Sequence, residues 1–203
     1  MVSDPTPRRP SPRRRILNAA LELAVEGGYD AMQVRTLAQR AKVSSRTIYM
    51  HFDSLDSLLV VAIAELSQPL YRQYTESPPR TGTAIERISQ LFSELTQTMT
   101  ANRGLTMALL RSLLSGKPDI VPFIRGYREV LEEVLAKTIA DDEPTPEDRL
   151  TSEILQCVWF SALIGWATGT EEDSHVIEIM QSTAERLLTP ASTSEGPAVR
   201  AGR

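Results

Sequence analysis

The sequence predicts an all-α protein of about nine helices, with a three-helix helix-turn-helix head at the N-terminus and a larger helical body behind it. Three observations carry that expectation. Apolar residues recur at i, i+3, i+4 and i+7 in one block after another. Proline and glycine gather mostly between those blocks. No stretch alternates apolar and polar residues for long enough to specify a strand.

Residues 1–11 read as a disordered basic arm, spaced by Pro5, Pro7 and Pro10 and charged by Arg8 and Arg9. A helix opens at Pro12, a good first-turn residue, and carries Ile16, Leu17, Ala20, Leu21 and Ala24 along one side until Gly27-Gly28 stops it. A short second helix carries Val34, Leu37, Ala38 and Ala41. After Lys42-Val43, Ser44 or Ser45 suits the N-cap of a very short third helix through Phe52. Residues 12–52 are therefore read as the head, and residues 53–189 as the body.

The body opens at Asp53-Ser54 with a longer helix bearing Leu55, Leu58, Leu59, Ala62, Ile63 and Leu66, which Pro69 should kink or end. Residues 78–82, Pro-Pro-Arg-Thr-Gly, form a loop. Helical patterns follow over residues 84–101, 105–114 and 122–140. An acidic, proline-containing turn at 141–146 precedes two more, over 147–167 and 173–188. Residues 190–203 read as a disordered tail.

The chain has 203 residues and a formal charge of −4, unevenly spread. Residues 1–52 hold nine Lys/Arg against four Asp/Glu, and the remainder 13 against 22. A basic head on an acidic body suits a polyanionic partner at one end, although a solvated basic tail has the same composition. No apolar run approaches the roughly 18–20 residues that cross a bilayer, and the basic start lacks the apolar stretch of a secretory signal. The single cysteine, Cys157, has no partner for an internal disulfide. These features together predict a cytoplasmic protein with no membrane partner.

The segment from Gln33 to Phe52 has helix-turn-helix geometry: a short helix, a tight turn, and a second helix docked by a few apolar side chains. At 100° per residue, Ile48 and Phe52 fall within about 40° of each other and face inward. Arg46 and Met50 then lie opposite, flanked by Thr47, Tyr49 and His51. A guanidinium there can donate two hydrogen bonds to a guanine edge or pair with a phosphate, hydroxyls can bind phosphate oxygens, and a thioether can pack on a thymine methyl. Arg35, Thr36, Lys42, Ser44 and Ser45 complete the candidate DNA contacts. An ordinary amphipathic helix pair has the same pattern.

Residues 28–52, with the Leu37-Ala38 pair, the Val43-Ser44 turn and Thr47-Ile48-Tyr49 leading to Phe52, Ser54 and Leu58, resemble the N-terminal signature of the TetR family of bacterial repressors. The resemblance implies a DNA-binding head, a variable helical ligand domain, a two-fold dimer on a palindromic operator, and a small-molecule inducer. It also places Ser44, Thr47, Tyr49 and His51 where relatives commonly contact DNA. Two departures stand out. Lys42 occupies a turn position where the family often has glycine, and Leu55, flanked by Asp53 and Asp56, stands where it often has lysine. The arginines at 8, 9, 13, 14 and 15 could supply the missing phosphate contact, or simply solubilise the terminus.

The stretch from 147 to 167 is apolar around most of its circumference, so it must be buried on more than one side. Leu155, Ala162, Leu163 and Trp166 there, with Ile177, Met180, Ala184 and Leu187 on the last helix, are the candidate dimer seam; a wholly internal core is the alternative. Phe92, Leu95, Met99, Met107, Leu110, Leu114, Phe123, Tyr127 and Trp159 are the candidate pocket, although a residue of this kind is more often plain core than ligand wall. Asp142-Glu143-Pro144-Thr145 and Val158-Trp159-Phe160-Ser161 before Trp166 also resemble the sterol-catabolism repressors of actinobacteria within the family. That resemblance implies a large apolar inducer, a steroid or acyl-CoA thioester, whose anionic end Arg103, Arg111, Arg125 or Arg128 would meet.

No catalytic constellation, metal-ligand spacing or phosphate-cradling loop appears, so no enzyme activity, metal or cofactor is expected. Cys157 reads as inert core. The competing functional readings are a helical carrier or enzyme with no DNA role, and an activator in place of a repressor.

Overall fold

The computed structural model describes residues 10–189, and among them it contains nine α-helices and no strand. The arm residues Arg8 and Arg9 and the tail from 190 lie outside the described residues. Helix α1 (Pro12–Ala31) is capped by Ser11, whose hydroxyl accepts from the Arg14 N–H at 3.3 Å. Gly27 and Gly28 leave helical geometry, Gly28 with φ 65°, so α1 breaks where the glycine pair predicts and resumes for one turn. Helix α2 (Val34–Ala41) ends at Lys42 in the left-handed conformation, φ 54°. Helix α3 (Ser45–His51) is capped by Ser44, which accepts from the Thr47 N–H at 3.1 Å.

Helix α4 (Leu55–Glu76) begins at a reciprocal cap between Ser54 and Ser57. Of the two outcomes expected at Pro69, the helix does not end there but runs through to Glu76. Proline deletes one backbone hydrogen bond, and the helix is held on both sides of that point, by α1 and α6 near its start and by α7. Helices α5 (Ala84–Thr100), α6 (Arg103–Leu113), α7 (Val121–Ile139), α8 (Pro146–Thr168) and α9 (Asp173–Leu188) complete the body, with a 3₁₀ turn, Pro118–Ile120, before α7.

Two apolar clusters organise these helices. The first joins α1, α2 and α3 with Leu58, Leu59, Ala62 and Ile63 of α4 and Ala108 of α6. The head's packing therefore does not stop at residue 52. The second gathers α5, α7, α8 and α9 around Phe92, Leu135, Trp159 and Trp166. Helix α8 is long and apolar enough by composition to cross a bilayer, which the sequence reading of apolar runs did not anticipate. Here its inner side packs against α7, α9 and α6. Arg87, 4% exposed, binds the carbonyls at the C-terminus of α7 and one of the loop before α5: its guanidinium donates to Thr138 O (2.8 Å), Ile139 O (2.8 Å) and Gly82 O (2.9 Å) and meets Asp141.

Candidate DNA-reading face and body cavity

Helix α3 turns one side into the head and the other to solvent. Ile48 is 2% exposed, and Phe52 is buried beside it. Tyr49 is 56% and Met50 74% exposed, and Ser44, Ser45, Arg46 and His51 are exposed with them. Thr47 is half-buried, its hydroxyl 2.8 Å from that of Ser44. Ser44 is thus spent partly on capping. Lys42 and Arg35 are exposed, and Thr36 is half-buried in the first turn of α2. The left-handed turn at Lys42, with its N–H bonded to Ala38 O and Gln39 O, aims α3 away from α2.

Of the two acids expected near this surface, only Asp53 is exposed. Asp56 is buried and holds the Lys117 ammonium. Burial works to raise its carboxyl, but the Lys117 hydrogen bond, with help from Tyr29, keeps it below its ordinary value. The Ser54 hydroxyl donates to Asp119 at 2.6 Å. Arg111 bonds Asp30 at 2.8 Å and covers the Tyr29 ring at 4.1 Å. These contacts bind the start of α4 and the end of α1 to the body. They join residues 61 to 81 positions apart, and no local pattern announces them. Arg13 and Arg14 reach Glu65 of α4 (2.5 and 3.8 Å), and Arg13 lies over Phe52, so these arginines brace two helices of the protomer.

A cavity of about 810 Å³ opens between α4, α6, α7 and α8. Met99, Leu110, Phe123, Tyr127 and Trp159 of the candidate set line it. Phe92 and Leu95 do not: they are buried behind the wall, Phe92 with its ring 5.8 Å from Trp159. Nor do Met107 and Leu114, which are exposed on α6 and just past its end. The sequence reading missed the wall formed by α4, with Val60, Ile63, Ala64, Tyr71 and Thr75. Tyr71, an aromatic residue in the mostly polar stretch after Pro69, was the available signal.

The expected arginines do not line the cavity either. Arg103 donates to Ala167 O, Arg111 pairs with Asp30, Arg128 pairs with Glu153, and Arg125 is exposed elsewhere on α7. The lining guanidinium is Arg72. Among the described residues, no group of His, Cys, Asp and Glu is arranged to hold a metal ion.

Comparison with known proteins decides the family. A model described as "Bacterial regulatory proteins, tetR family" matches residues 16–62, and one described as "Tetracyclin repressor-like, C-terminal domain" matches residues 82–187. The HTH-type transcriptional repressor KstR of Rhodococcus jostii (strain RHA1) is 31% identical over 180 residues, 89% of this chain and 84% of the relative. The chain belongs to the TetR family. Its fold is similar to that of a TetR regulator from Rhodococcus sp. RHA1 (TM-score 0.76, 21% identity, 89% of this chain and 98% of that one). It is also similar to Thermus thermophilus FadR, solved in complex with lauroyl-CoA (TM-score 0.70, 19% identity, 92% and 98%). The protein is a DNA-binding transcriptional repressor of this family.

In this TetR-family repressor, the candidate seam needs correction. Leu155, Leu163, Trp166, Met180 and Ala184 are buried within the protomer, and Leu163 lines the cavity, so they are not available to a partner. A helix apolar all round spends its larger residues on its own core first. Ala162 and Ile177 are half-buried, and Leu187 is exposed. On α8 the outward apolar positions are Leu150, Ile154 and Cys157, with the half-buried Val158 and Ala162 beside them on the same helix face. Cys157 is exposed rather than core.

Proposed function

We propose that this repressor is a homodimer that holds a palindromic operator through its two α3 helices and releases it when a large apolar molecule, steroid-like or acyl-CoA-like, fills the cavity. The observation that carries this reading is the continuity of α4. Its N-cap, Ser54, lies two residues after Phe52, at the end of the reading helix, and its later turns form one wall of the cavity. A volume of about 810 Å³ suits a drug-sized or larger ligand, and apolar side chains dominate the lining. The neighbouring FadR of Thermus thermophilus holds lauroyl-CoA, an apolar chain on a polar carrier.

On the DNA side, Arg46, Tyr49, Met50 and His51 project from α3 and form the base-reading and phosphate-binding surface. Lys42, Ser44, Ser45 and Thr47, with Arg35 and Thr36 of α2, supply the rest of the contact. The outward face of α8, with Ile177 and Leu187 of α9, forms the two-fold seam that sets the spacing of the two heads. The protein works in the cytoplasm, where its operator lies.

The switch is a shift between head spacings that do and do not match the operator, and ligand must bind the non-matching state more tightly. A hundredfold preference corresponds to about 2.7 kcal/mol of coupling. Gly126 gives the test. It lies on the cavity wall, and a Cβ there meets no atom within 4 Å. Gly126→Trp fills the cavity from a position that tolerates a side chain. The variant is expected to keep a folded head and to lose its response, so that operator affinity no longer changes with ligand. Wild-type operator affinity that is unmoved by every large apolar ligand tried would rule out the switch.

A further inference from the structure

Two phenols meet at the cavity wall, Tyr71 buried and Tyr127 half-buried. Tyr71 of α4 donates its hydroxyl hydrogen to the Tyr127 hydroxyl of α7 at 3.2 Å, with the rings edge-on, 6.0 Å between centroids. Having accepted that bond, Tyr127 still carries its own hydroxyl hydrogen, and it makes no further hydrogen bond among the described residues. A ligand that covers this hydroxyl without accepting its hydrogen leaves a buried donor unmatched, at about 1–3 kcal/mol. The other buried donors of the wall are committed. Thr106 gives its hydroxyl hydrogen to Met99 O, and Trp159 gives its indole N–H to the Thr96 hydroxyl at 3.1 Å.

The charges of the lining are all at accessible positions, and most have partners within the protein. Glu65 holds Arg13, Glu133 holds Arg149 and Lys137, and Arg72 lies 3.9 Å from Glu76, leaving Glu129 exposed on α7. Burial raises both phenols above their ordinary range, so each keeps its proton at neutral pH. Among the described residues the one cation of the lining is Arg72, which has Glu76 as its partner, and the carboxylates Glu65, Glu76, Glu129 and Glu133 share the lining, so a ligand carboxylate meets net negative charge.

We propose that the Tyr71–Tyr127 pair is the specificity element of the cavity, and that Tyr127 donates a hydrogen bond to an uncharged acceptor, a ketone or similar carbonyl oxygen, on an otherwise apolar ligand. Tyr71 is the positioning residue: its bond fixes the Tyr127 hydroxyl, so that the remaining hydrogen points away from α4. This inference rests on the reading of the cavity as the inducer site and adds the chemistry of the inducer's buried end. An apolar chain that enters with a free carboxylate leading is disfavoured. A thioester carbonyl or a ring ketone is accepted.

The test uses the full chain and two probes that differ in one oxygen, androstan-3-one and androstane, titrated against the fluorescence of Trp159 at the cavity wall. The wild type should bind the ketone about tenfold more tightly than the hydrocarbon, the worth of one neutral hydrogen bond made in a buried site. Tyr127→Phe should abolish that ratio, and Tyr71→Phe, which leaves the Tyr127 donor in place, should retain a preference for the ketone. Because the readout is a ratio on one protein, general loosening of the fold lowers both affinities and leaves it unmoved. Equal binding of the two probes by the wild type, or an unchanged ratio in Tyr127→Phe, overturns the assignment while leaving the cavity an apolar site. Binding of neither probe to the wild type overturns the cavity reading and the assignment together.

Discussion

Lys42 occupies a backbone conformation in which glycine is free of strain and lysine is not. The cost is up to about 1 kcal/mol, and an exposed ammonium beside the reading helix is the evident return. Lys42→Gly should therefore move two measurements in opposite directions. Thermal unfolding should shift upward by roughly 2–4 °C for each kcal/mol of relieved strain, while affinity for duplex DNA falls and the slope of its salt dependence drops by about one. A rise in stability with unchanged DNA binding would remove Lys42 from the contact surface. Arg46→Ala makes the companion test. If Arg46 reads guanine, the variant should lose about 1–3 kcal/mol at one base position and relax specificity there, whereas a loss spread evenly over all sequences assigns it to phosphate. At this scale the sequence was most informative on α3, where seven residues of helix leave little choice about which side faces in. It was least informative for Asp56, whose buried placement depends on Lys117, 61 positions away.

At the scale of single helices, two polar devices hold the ends in place. Arg87 binds the C-terminal carbonyls of α7 from within the body, and Arg87→Leu would strand three backbone acceptors. Urea unfolding of that variant should show a loss of about 3 kcal/mol. The Asp56–Lys117 pair ties the first turn of α4 to the segment before α7. Because the folded carboxyl lies below its ordinary value of 3.8, its contribution is complete above that value and is lost as pH falls through the lower folded value. Acid unfolding of the wild type should therefore include a component below 3.8 that Asp56→Asn lacks, and identical acid profiles would show that the pair contributes nothing.

Helix periodicity placed the starts of the helices to within a few residues, because apolar faces and caps such as Ser54, Thr83 and Thr145 are local, whereas the ends of α1 and α4 lie beyond the breakers at Gly27-Gly28 and Pro69. Pro69 left the end of α4 open, and packing against its neighbours carries the helix past it. Cavity walls were legible only in part. Periodicity reports that Phe92 and Tyr127 face inward alike, and only packing decides that one meets Trp159 and the other an opening.

For the whole molecule, the charge asymmetry and the helical pattern were readable without a structure, whereas the division of α8 between core and surface was not. An all-round apolar helix has no polar face to mark its outside, and the residues chosen for the seam turned out to be mostly core. The corrected face gives its own test. Ile154→Glu, at an outward position on α8, should shift the protein to monomer in sedimentation and weaken operator binding severely, with the monomer's helical content retained. A dimer of unchanged strength would place the seam elsewhere.

The central claim is that the polar face of α3 enters the major groove, twice per dimer. Hydroxyl-radical and methylation footprinting of the protein on a fragment selected from random duplex DNA tests it most directly. Two protected major-groove half-sites are expected, related by a dyad and separated by about one helical turn or a multiple of it, and lost together in a variant carrying Arg46→Ala and Tyr49→Ala. A single asymmetric footprint, or one that survives that variant intact, would contradict it.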